Sequence, residues 1–177
     1  MLFRIIGIIM TLIIRLVWVV GGSRKWHMPI MIWWFRKRGM KIFGKPIYIS
    51  ALSWFDGSDY AKITLGDRVV ISSGVRILTH DYAISRALEA AGVDIAREVA
   101  FVRPVSIGDN AFIGTYSIVM PGTNIGKNVI VSAGSVVKGN IPDNAIVAGN
   151  PCQVIGNTLE YAEARRHYLS SDSARFD

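Results

Sequence analysis

A six-residue periodicity constrains the fold of this chain more than any other feature of its sequence. Nine hexads in one register each begin with an aliphatic residue. These openers are Leu65, Ile71, Ile77, Ile107, Ile113, Val119, Ile125, Val131 and Val137. A helix repeats its apolar positions about every 3.6 residues and an antiparallel sheet alternates, so neither explains this period. The pattern predicts an all-β solenoid of short parallel strands, with the openers stacked inside.

The segments between the strands contain residues that suit sharp corners. Gly108-Asp109-Asn110 and Gly126-Lys127-Asn128 each directly follow an opener, and Gly139-Asn140 comes two residues after the opener Val137. Gly, Asn and Asp tolerate the positive φ angles that such corners need. Ile49 and Phe55 are also six residues apart, so we expect an imperfect first coil, and Val147 to Pro151 close the last one. The predicted solenoid covers residues 46–156, and a charged helix and tail follow at 157–177.

The solenoid is interrupted once, by a predicted loop at about residues 82–104. Ile77 and Ile107 are thirty positions apart, a multiple of six, so the coil resumes in register. Loops on rigid scaffolds commonly carry function. His80, the solenoid's single histidine, directly precedes this loop and is followed by Asp81. Imidazole suits general-base catalysis near neutral pH, and an adjacent carboxylate can hold its tautomer. The alternative is a solvent-facing histidine at a corner.

Residues 1–45 differ from the rest of the chain in charge and hydrophobicity. They carry nine Lys and Arg residues and no acid, whereas the remainder has eleven basic and thirteen acidic residues, a net charge of −2. Arg4, Thr11 and Arg15 interrupt a long apolar run and share one stripe of a helix. Trp33-Trp34-Phe35 stand before Arg36-Lys37-Arg38, and tryptophans beside cations are typical of a bilayer interface.

We therefore expect residues 1–45 to form a basic, apolar helical anchor that contacts membrane lipids. It would consist of a helix, a break at Gly21-Gly22-Ser23 and a shorter helix. Both a spanning helix and an in-plane helix fit this length. A signal peptide is disfavoured because Arg15 interrupts the run and no small-residue cleavage site follows. The apolar composition disfavours nucleic acid as the partner, and a helix packed on the solenoid is a further alternative.

Several other chemistries lack the residues that they need. A metal site takes about three or four ligands, and the solenoid offers one histidine and one cysteine. Cys152 is the chain's single cysteine, so it forms no intrachain disulfide, and without an activating partner we interpret it as a packing residue. The sequence contains no Walker or Rossmann phosphate loop and no serine nucleophile elbow.

The runs ITLGDRVVISSGVRILTHD and RPVSIGDNAFIGTYSIVMPGTNIGKNVIVSAGSVVKGNIPDNAIVAGNPCQVI resemble the hexapeptide-repeat acyltransferase superfamily. Within it they are most similar to the maltose and galactoside O-acetyltransferases and the acetyltransferases of capsule, O-antigen and colanic-acid synthesis. The resemblance covers about residues 47–156. It implies a left-handed parallel β-helix, a homotrimer with active sites between subunits, and acetyl-CoA as the acyl donor, without a metal. In place of the N-terminal domain of the maltose-type enzymes, this sequence has the apolar segment.

The same resemblance assigns roles to individual residues. His80 matches the catalytic base, which deprotonates an acceptor hydroxyl that attacks the thioester directly, without an acyl-enzyme. The positions that match the cofactor-binding residues are Gly114, Ser132, Ala133, Gly134, Lys138, Asn150 and Pro151. We place Asp81 beside His80 in catalysis, and Asp56 and Asp81 are candidates for binding the acceptor or orienting His80. Phe112 replaces a tryptophan of many relatives, and Cys152 replaces an alanine.

These features together predict an acetyl-CoA-dependent O-acetyltransferase of polysaccharide biosynthesis. Its acceptor would be a sugar hydroxyl of a membrane-proximal or lipid-linked glycan, at the cytoplasmic face of the inner membrane. The basic residues that follow the apolar helix agree with the positive-inside rule. Two alternatives remain open: an N-acetyltransferase acting on an amino sugar, and a catalytically silent, membrane-associated scaffold.

Overall fold

The computed structural model describes residues 2–21 and 24–170, so most of the predicted break and the tail from 171 onward lie outside the described residues. Two helices come first, α1 (Leu2–Gly21) and α2 (Arg24–Lys37). Two shorter helices follow later, α3 (Ala83–Ala90) and α4 (Thr158–Ala164). Everything between α2 and α4, apart from α3 and a 3-10 helix at Tyr60–Lys62, is short strands and turns.

Apart from a two-stranded antiparallel sheet at the interruption of the coil, the strands form three sheets, and within these three sheets neighbouring strands are parallel except at one hairpin. Sheet 1 contains β1 (Lys41–Ile42), β4 (Ile63–Leu65), β9 (Val105–Ile107), β12 (Asn124–Ile125) and β15 (Asn140–Ile141). Sheet 2 contains β2 (Tyr48–Ile49), β5 (Val70–Ile71), β10 (Phe112–Ile113), β13 (Ile130–Val131), β16 (Ala145–Gly149) and β17 (Cys152–Asn157). Sheet 3 contains β3 (Trp54–Phe55), β6 (Arg76–Ile77), β11 (Ile118–Val119) and β14 (Val136–Val137).

The aliphatic openers of the hexads stack in three ladders, one per sheet. In sheet 3, for example, Ile77 pairs with Val119, and Val119 pairs with Val137. All nine openers are at most 2% exposed. The prediction of a parallel solenoid with the openers inside is confirmed, since the chain returns to the same sheet after every three hexads.

The predicted corners are confirmed as sites of positive φ. Asn110 and Asn128 both have φ of 56° and Gly139 has φ of 81°. The Asn110 side-chain amide donates to Asn128 Oδ1 at 3.0 Å, so successive corners are linked along the solenoid. Gly108 has a different reason to be glycine. A Cβ there would lie 2.6 Å from the carbonyl carbon of Gly126, because neighbouring coils approach closely at this corner.

The solenoid begins earlier than the predicted residue 46. β1 pairs in register with β4 and therefore belongs to sheet 1. The hexad count misses this strand because residues 56–62, which include the 3-10 helix, are an insertion between β3 and β4. At the other end, β16 and β17 form an antiparallel hairpin around Asn150 and Pro151. After the hairpin, α4 ends at Ala164 and a 3-10 helix follows at Arg166–Ser170.

The interruption of the coil has its own secondary structure. β7 (His80–Asp81) pairs antiparallel with β8 (Phe101–Val102), and α3 lies between them. The Ser85 hydroxyl donates to the carbonyl of Val99 at 3.0 Å and accepts from the Val99 amide at 2.8 Å, which ties α3 to the returning strand. The loop is thus an ordered excursion that leaves the solenoid at His80.

α2 covers the end of the solenoid where β2 is the outermost strand of sheet 2. Such an edge strand has backbone groups without a partner strand. His27 Nε2 donates to the carbonyl of Ile49 at 3.2 Å, and the Ile49 amide donates to the sulfur of Met28 at 3.0 Å. The Phe35 ring packs against the Phe55 ring, with 4.8 Å between the ring centroids. Part of the predicted anchor therefore packs on the solenoid, which was one of the alternatives.

This packing corrects the interpretation of the tandem aromatic residues. Trp34 and Phe35 are buried in the core, whereas Trp33 is 54% exposed. On a helix, adjacent residues point in different directions, so a run of three aromatics cannot all face a bilayer. The bilayer-interface interpretation therefore applies only to Trp33 within this run.

α1 packs against α2 and leaves an apolar face uncovered. Ile14 is its buried contact residue, with Ile6, Met10 and Trp18 partly buried on the same stripe. The exposed hydrophobic residues include Leu12, Leu16, Val19 and Val20, at 60% to 79% exposure. Thr11 and Arg15 are exposed, and the side chain of Arg4 lies outside the described part. Of the helices in the described ranges, none has both the length and the hydropathy to cross a bilayer.

Candidate functional site

His80 lies where the chain leaves sheet 3, and the hexad register brings Asp56 beside it. Phe55 of β3 pairs with Ile77 of β6, so the residues that follow these two strands are neighbours on adjacent coils. Asp56 is the first residue after β3. Its Oδ2 is hydrogen-bonded to His80 Nδ1 across 24 positions of sequence.

Asp56 is held by a set of hydrogen bonds inside the structure and is only 2% exposed. Its Oδ2 accepts from the Thr79 hydroxyl at 2.6 Å and from the Thr79 amide at 3.1 Å. Its Oδ1 accepts from the Ser58 amide at 3.1 Å. Burial alone raises the pKa of Asp56, but the hydrogen bonds from Thr79 and Ser58 outweigh it and lower the pKa from 3.8 to about 2. Asp56 is therefore ionised at neutral pH.

The ionised carboxylate of Asp56 determines which ring nitrogen of His80 carries the hydrogen. The carboxylate accepts the Nδ1 hydrogen, so Nε2 is the ring nitrogen with a lone pair that can take a proton. The side chain of His80 is 30% exposed, and the Tyr82 ring stands edge-on to it with 5.5 Å between centroids. This arrangement suits a general base whose conjugate acid is stabilised by a buried anion.

The lowered pKa of Asp56 has a consequence for stability in acid. A depressed carboxyl pKa stabilises the folded state above the unfolded-state pKa, and that contribution is lost as the pH falls through the folded-state value. For Asp56 the window runs from about 3.8 down to about 2. We expect the stability advantage of the wild type over Asp56→Asn to shrink by about 2 kcal/mol across this window. Urea unfolding at a series of pH values measures it, and a pH-independent difference would contradict the assignment.

Asp81, which we predicted to work beside His80, has a different position. Its Oδ1 accepts from the Ala83 amide at 2.8 Å, at the start of α3. The reason is geometric, because consecutive side chains of a strand point to opposite faces and His80 and Asp81 form β7. The carboxylate on the His80 ring is that of Asp56, one of the two predicted candidates for this role. The hexad register after Phe55 and Ile77 is the sequence signal that favours it.

The predicted cofactor-binding residues lie along two edges of the solenoid. Six of them follow strands of sheet 2, on a corner that we call the Gly114 edge; they are Gly114, Ser132, Ala133, Gly134, Asn150 and Pro151. Lys138 follows β14 of sheet 3 and shares the corner of Asp56 and His80, which we call the His80 edge. Sheet 3 separates the two edges within one chain.

Close backbone packing shapes the Gly114 edge. A Cβ on Gly114 would lie 2.5 Å from the Ala133 nitrogen, so only glycine fits beneath that turn. The Gly134 amide donates to the carbonyl of Thr115 at 2.8 Å, and Gly134 has φ of 71°. Ala133 and Gly134 are exposed. The edge therefore presents small residues and backbone atoms to the outside, a surface that a ligand can approach closely.

The described part of the chain contains no set of side chains arranged as metal ligands. No group of three or more His, Cys, Asp or Glu side chains in residues 2–21 and 24–170 is arranged to hold an ion. Cys152 is a free, partly buried cysteine in those ranges and packs against the hydrophobic core.

Comparison with known proteins adds a family to this geometry. Residues 104–138 match the family model described as the hexapeptide repeat of succinyl-transferase. Protein CapG of Staphylococcus aureus is 38% identical over 130 residues, which cover 71% of this chain and 70% of CapG. The chain belongs to the hexapeptide-repeat acyltransferase superfamily. The resemblance drawn from the sequence is confirmed.

Other members of the hexapeptide-repeat superfamily match in sequence or in fold. Galactoside O-acetyltransferase of Escherichia coli is 33% identical over 114 residues, 64% of this chain and 51% of that protein. The chain spans about half the length of the first curated relatives that it matches. A solved galactoside acetyltransferase in complex with coenzyme A aligns with 98% of this chain and 88% of its own, with a TM-score of 0.63 at 21% identity. The three parallel sheets fit the left-handed β-helix of this superfamily.

Proposed function

We propose that the chain is an acetyl-CoA-dependent O-acetyltransferase that acts on a sugar hydroxyl. The observation that carries this proposal is the pair of His80 and the buried, ionised Asp56 at the rim of an acyltransferase solenoid. A base is needed to deprotonate a hydroxyl, which is a poor nucleophile at neutral pH. The sequence relationship to galactoside O-acetyltransferase supports a sugar acceptor, and the fold shared with a coenzyme A complex supports the donor.

The proposed reaction is a direct transfer. His80 Nε2 takes the proton of the acceptor hydroxyl as its oxygen attacks the carbonyl carbon of acetyl-CoA. The carbon–sulfur bond then breaks, and the CoA thiolate leaves with the proton that His80 returns. Asp56 stabilises the transient imidazolium. Backbone N–H groups of the Gly114 edge are candidates to stabilise the oxyanion, and Lys138 is a candidate contact for the CoA phosphates.

The separation of the two edges favours a site shared between chains. A face of about five extended residues spans roughly 16 Å, which is too far for His80 and the Gly114 edge of one chain to contact the same thioester. A neighbouring chain that brings its Gly114 edge to the His80 edge of the first would complete the site. We therefore propose a homotrimer with acetyl-CoA held between adjacent solenoids.

The N-terminal helices support a membrane-proximal acceptor. α1 exposes large apolar side chains such as Leu16 and Val20, and residues 1–45 carry only basic charges. Large exposed apolar surfaces beside cations favour contact with anionic membranes. We propose that the enzyme works at the cytoplasmic face of the inner membrane, where acetyl-CoA is present, on a lipid-linked or membrane-proximal glycan of polysaccharide biosynthesis.

A transfer assay with two matched acceptors tests the reaction class. The protein is incubated with isotope-labelled acetyl-CoA and either a sugar with free hydroxyls only or the corresponding amino sugar. We expect an alkali-labile ester on the hydroxyl acceptor. An alkali-stable amide formed only on the amino sugar would favour the N-acetyltransferase instead. Failure to bind acetyl-CoA in calorimetry would favour the catalytically silent scaffold.

A further inference from the structure

A trough lies between α2 and the first turn of the solenoid, away from both edges of the proposed active site. It encloses about 670 Å³. Its apolar wall includes Pro29, Ile32 and Trp33. The volume falls within the roughly 300–1,000 Å³ range of pockets that take small molecules. Trp33 is 54% exposed, so the trough opens to the outside beside an aromatic ring.

Three cations line the same trough. The Arg36 guanidinium donates to the carbonyls of Ile42 at 3.0 Å and Gly44 at 3.1 Å, which holds it in place. Lys37 and Lys45 are exposed, and within residues 2–21 and 24–170 neither forms an ion pair. The carboxylate of Asp67 is close by, and it accepts from the Lys45 backbone amide at 2.7 Å.

The positive charge of the trough favours an anionic ligand. Residues 1–45 contain no acid, so the positive rim carries no compensating charge from its own segment. A second copy of the same surface would place like charges against each other, which disfavours self-association through the trough. An anionic group is favoured, and the apolar wall next to it favours a hydrocarbon chain on that group.

We propose that the trough binds an anionic phospholipid. One acyl chain lies along the apolar wall, and the phosphate contacts Arg36, Lys37 and Lys45. This inference rests on the proposed membrane association and deepens it, since it names the lipid class and the residues that select it. Trp33 at the opening sits at the head-group level, as interfacial tryptophans do.

Vesicle flotation of the full-length protein tests this site. Partitioning is measured over a series of lipid concentrations for vesicles of phosphatidylcholine alone and of phosphatidylcholine with phosphatidylglycerol. The site variant is Lys37→Gln/Lys45→Gln. The matched control, Lys127→Gln/Arg166→Gln, removes two exposed cations from other parts of the chain. We expect the site variant to partition on the order of 20-fold more weakly onto anionic vesicles, and the control variant to match the wild type.

A second measurement separates the trough from hydrophobic adhesion through α1. Short-chain phosphatidylglycerol, short-chain phosphatidylcholine and inorganic phosphate are titrated into the protein in neutral detergent, with calorimetric detection. We expect only phosphatidylglycerol to bind, and the site variant to lose this binding. The proposal would be overturned if the two lipids bound equally, or if inorganic phosphate bound and phosphatidylglycerol did not. It would also be overturned if the site variant and the control variant bound phosphatidylglycerol equally.

The enzymatic proposal is tested independently in the same variants. Acetyl transfer to a water-soluble sugar does not require the trough, so Lys37→Gln/Lys45→Gln should transfer at the wild-type rate. Loss of lipid selectivity with intact transfer in the site variant is the expected result. Absence of lipid selectivity in the wild type, with transfer intact, would remove the lipid site and leave the acetyltransferase standing.

Discussion

Replacing His80 with alanine is expected to lower kcat for acetyl transfer by about 10²–10⁴-fold, the usual contribution of a positioned general base. The acceptor hydroxyl would then lose its proton to water, because the imidazole that is paired with the buried Asp56 carboxylate is gone. Acetyl-CoA affinity should change little, since most of the predicted cofactor residues lie on the Gly114 edge. Steady-state kinetics gives kcat, and calorimetry gives the affinity.

The control for this prediction is His167→Ala. His167 is an exposed histidine in the C-terminal 3-10 helix, outside the proposed site. This variant should retain the wild-type kcat. A His80→Ala enzyme that turns over within about threefold of the wild type would remove His80 from the mechanism, and it would direct attention to an amine acceptor, which needs less help in losing a proton.

The second large effect is expected for Asp56→Asn, about 10²–10⁴-fold in kcat, since the change disables the same general base. An asparagine amide can donate to Nδ1, which would place the ring hydrogen on Nε2 and remove the lone pair that takes the proton. It also removes the anion that stabilises the imidazolium. Asp59→Asn is the matched control, because Asp59 is a nearby exposed carboxylate that accepts from the Ala61 amide.

A double variant shows whether Asp56 acts through His80. If it does, His80→Ala/Asp56→Asn should be no slower than His80→Ala alone, because the positioning residue has nothing left to position. Additive losses in the double variant would show that Asp56 contacts the acceptor independently.

The solenoid could be predicted from the sequence because the aliphatic residues that recur every six positions are the buried residues. Every opener from Leu65 to Val137 points inward, and the corner residues Asn110 and Asn128 have the positive φ that their type suggested. Because every coil has the same geometry, the position of a residue within its hexad predicts whether its side chain points inward. The hexad register after the loop at 82–104 could be predicted for the same reason, since the strands that follow the loop must stack in the same three ladders as those before it.

The contacts between coils were harder to read from the sequence. Asp56 lies beside His80 because it follows Phe55, which pairs with Ile77 on the next coil. This register was hard to predict because an insertion within 56–62 delays the next strand, and an insertion has no period. The adjacent Asp81 was the simpler assignment, yet strand geometry turns it away. Likewise, Trp33 and Trp34 look equivalent in the sequence, but one is exposed and the other is buried against the solenoid.

The glycan itself offers the most direct test of the central claim. Mass spectrometry would compare the native envelope glycan from cells that carry the wild-type protein with that from cells that carry His80→Ala at the same protein level. The account predicts an O-acetyl ester on a sugar of the wild-type glycan and its loss in the variant. An identical acetylation pattern in both, or a change confined to an N-acetyl group, would contradict it.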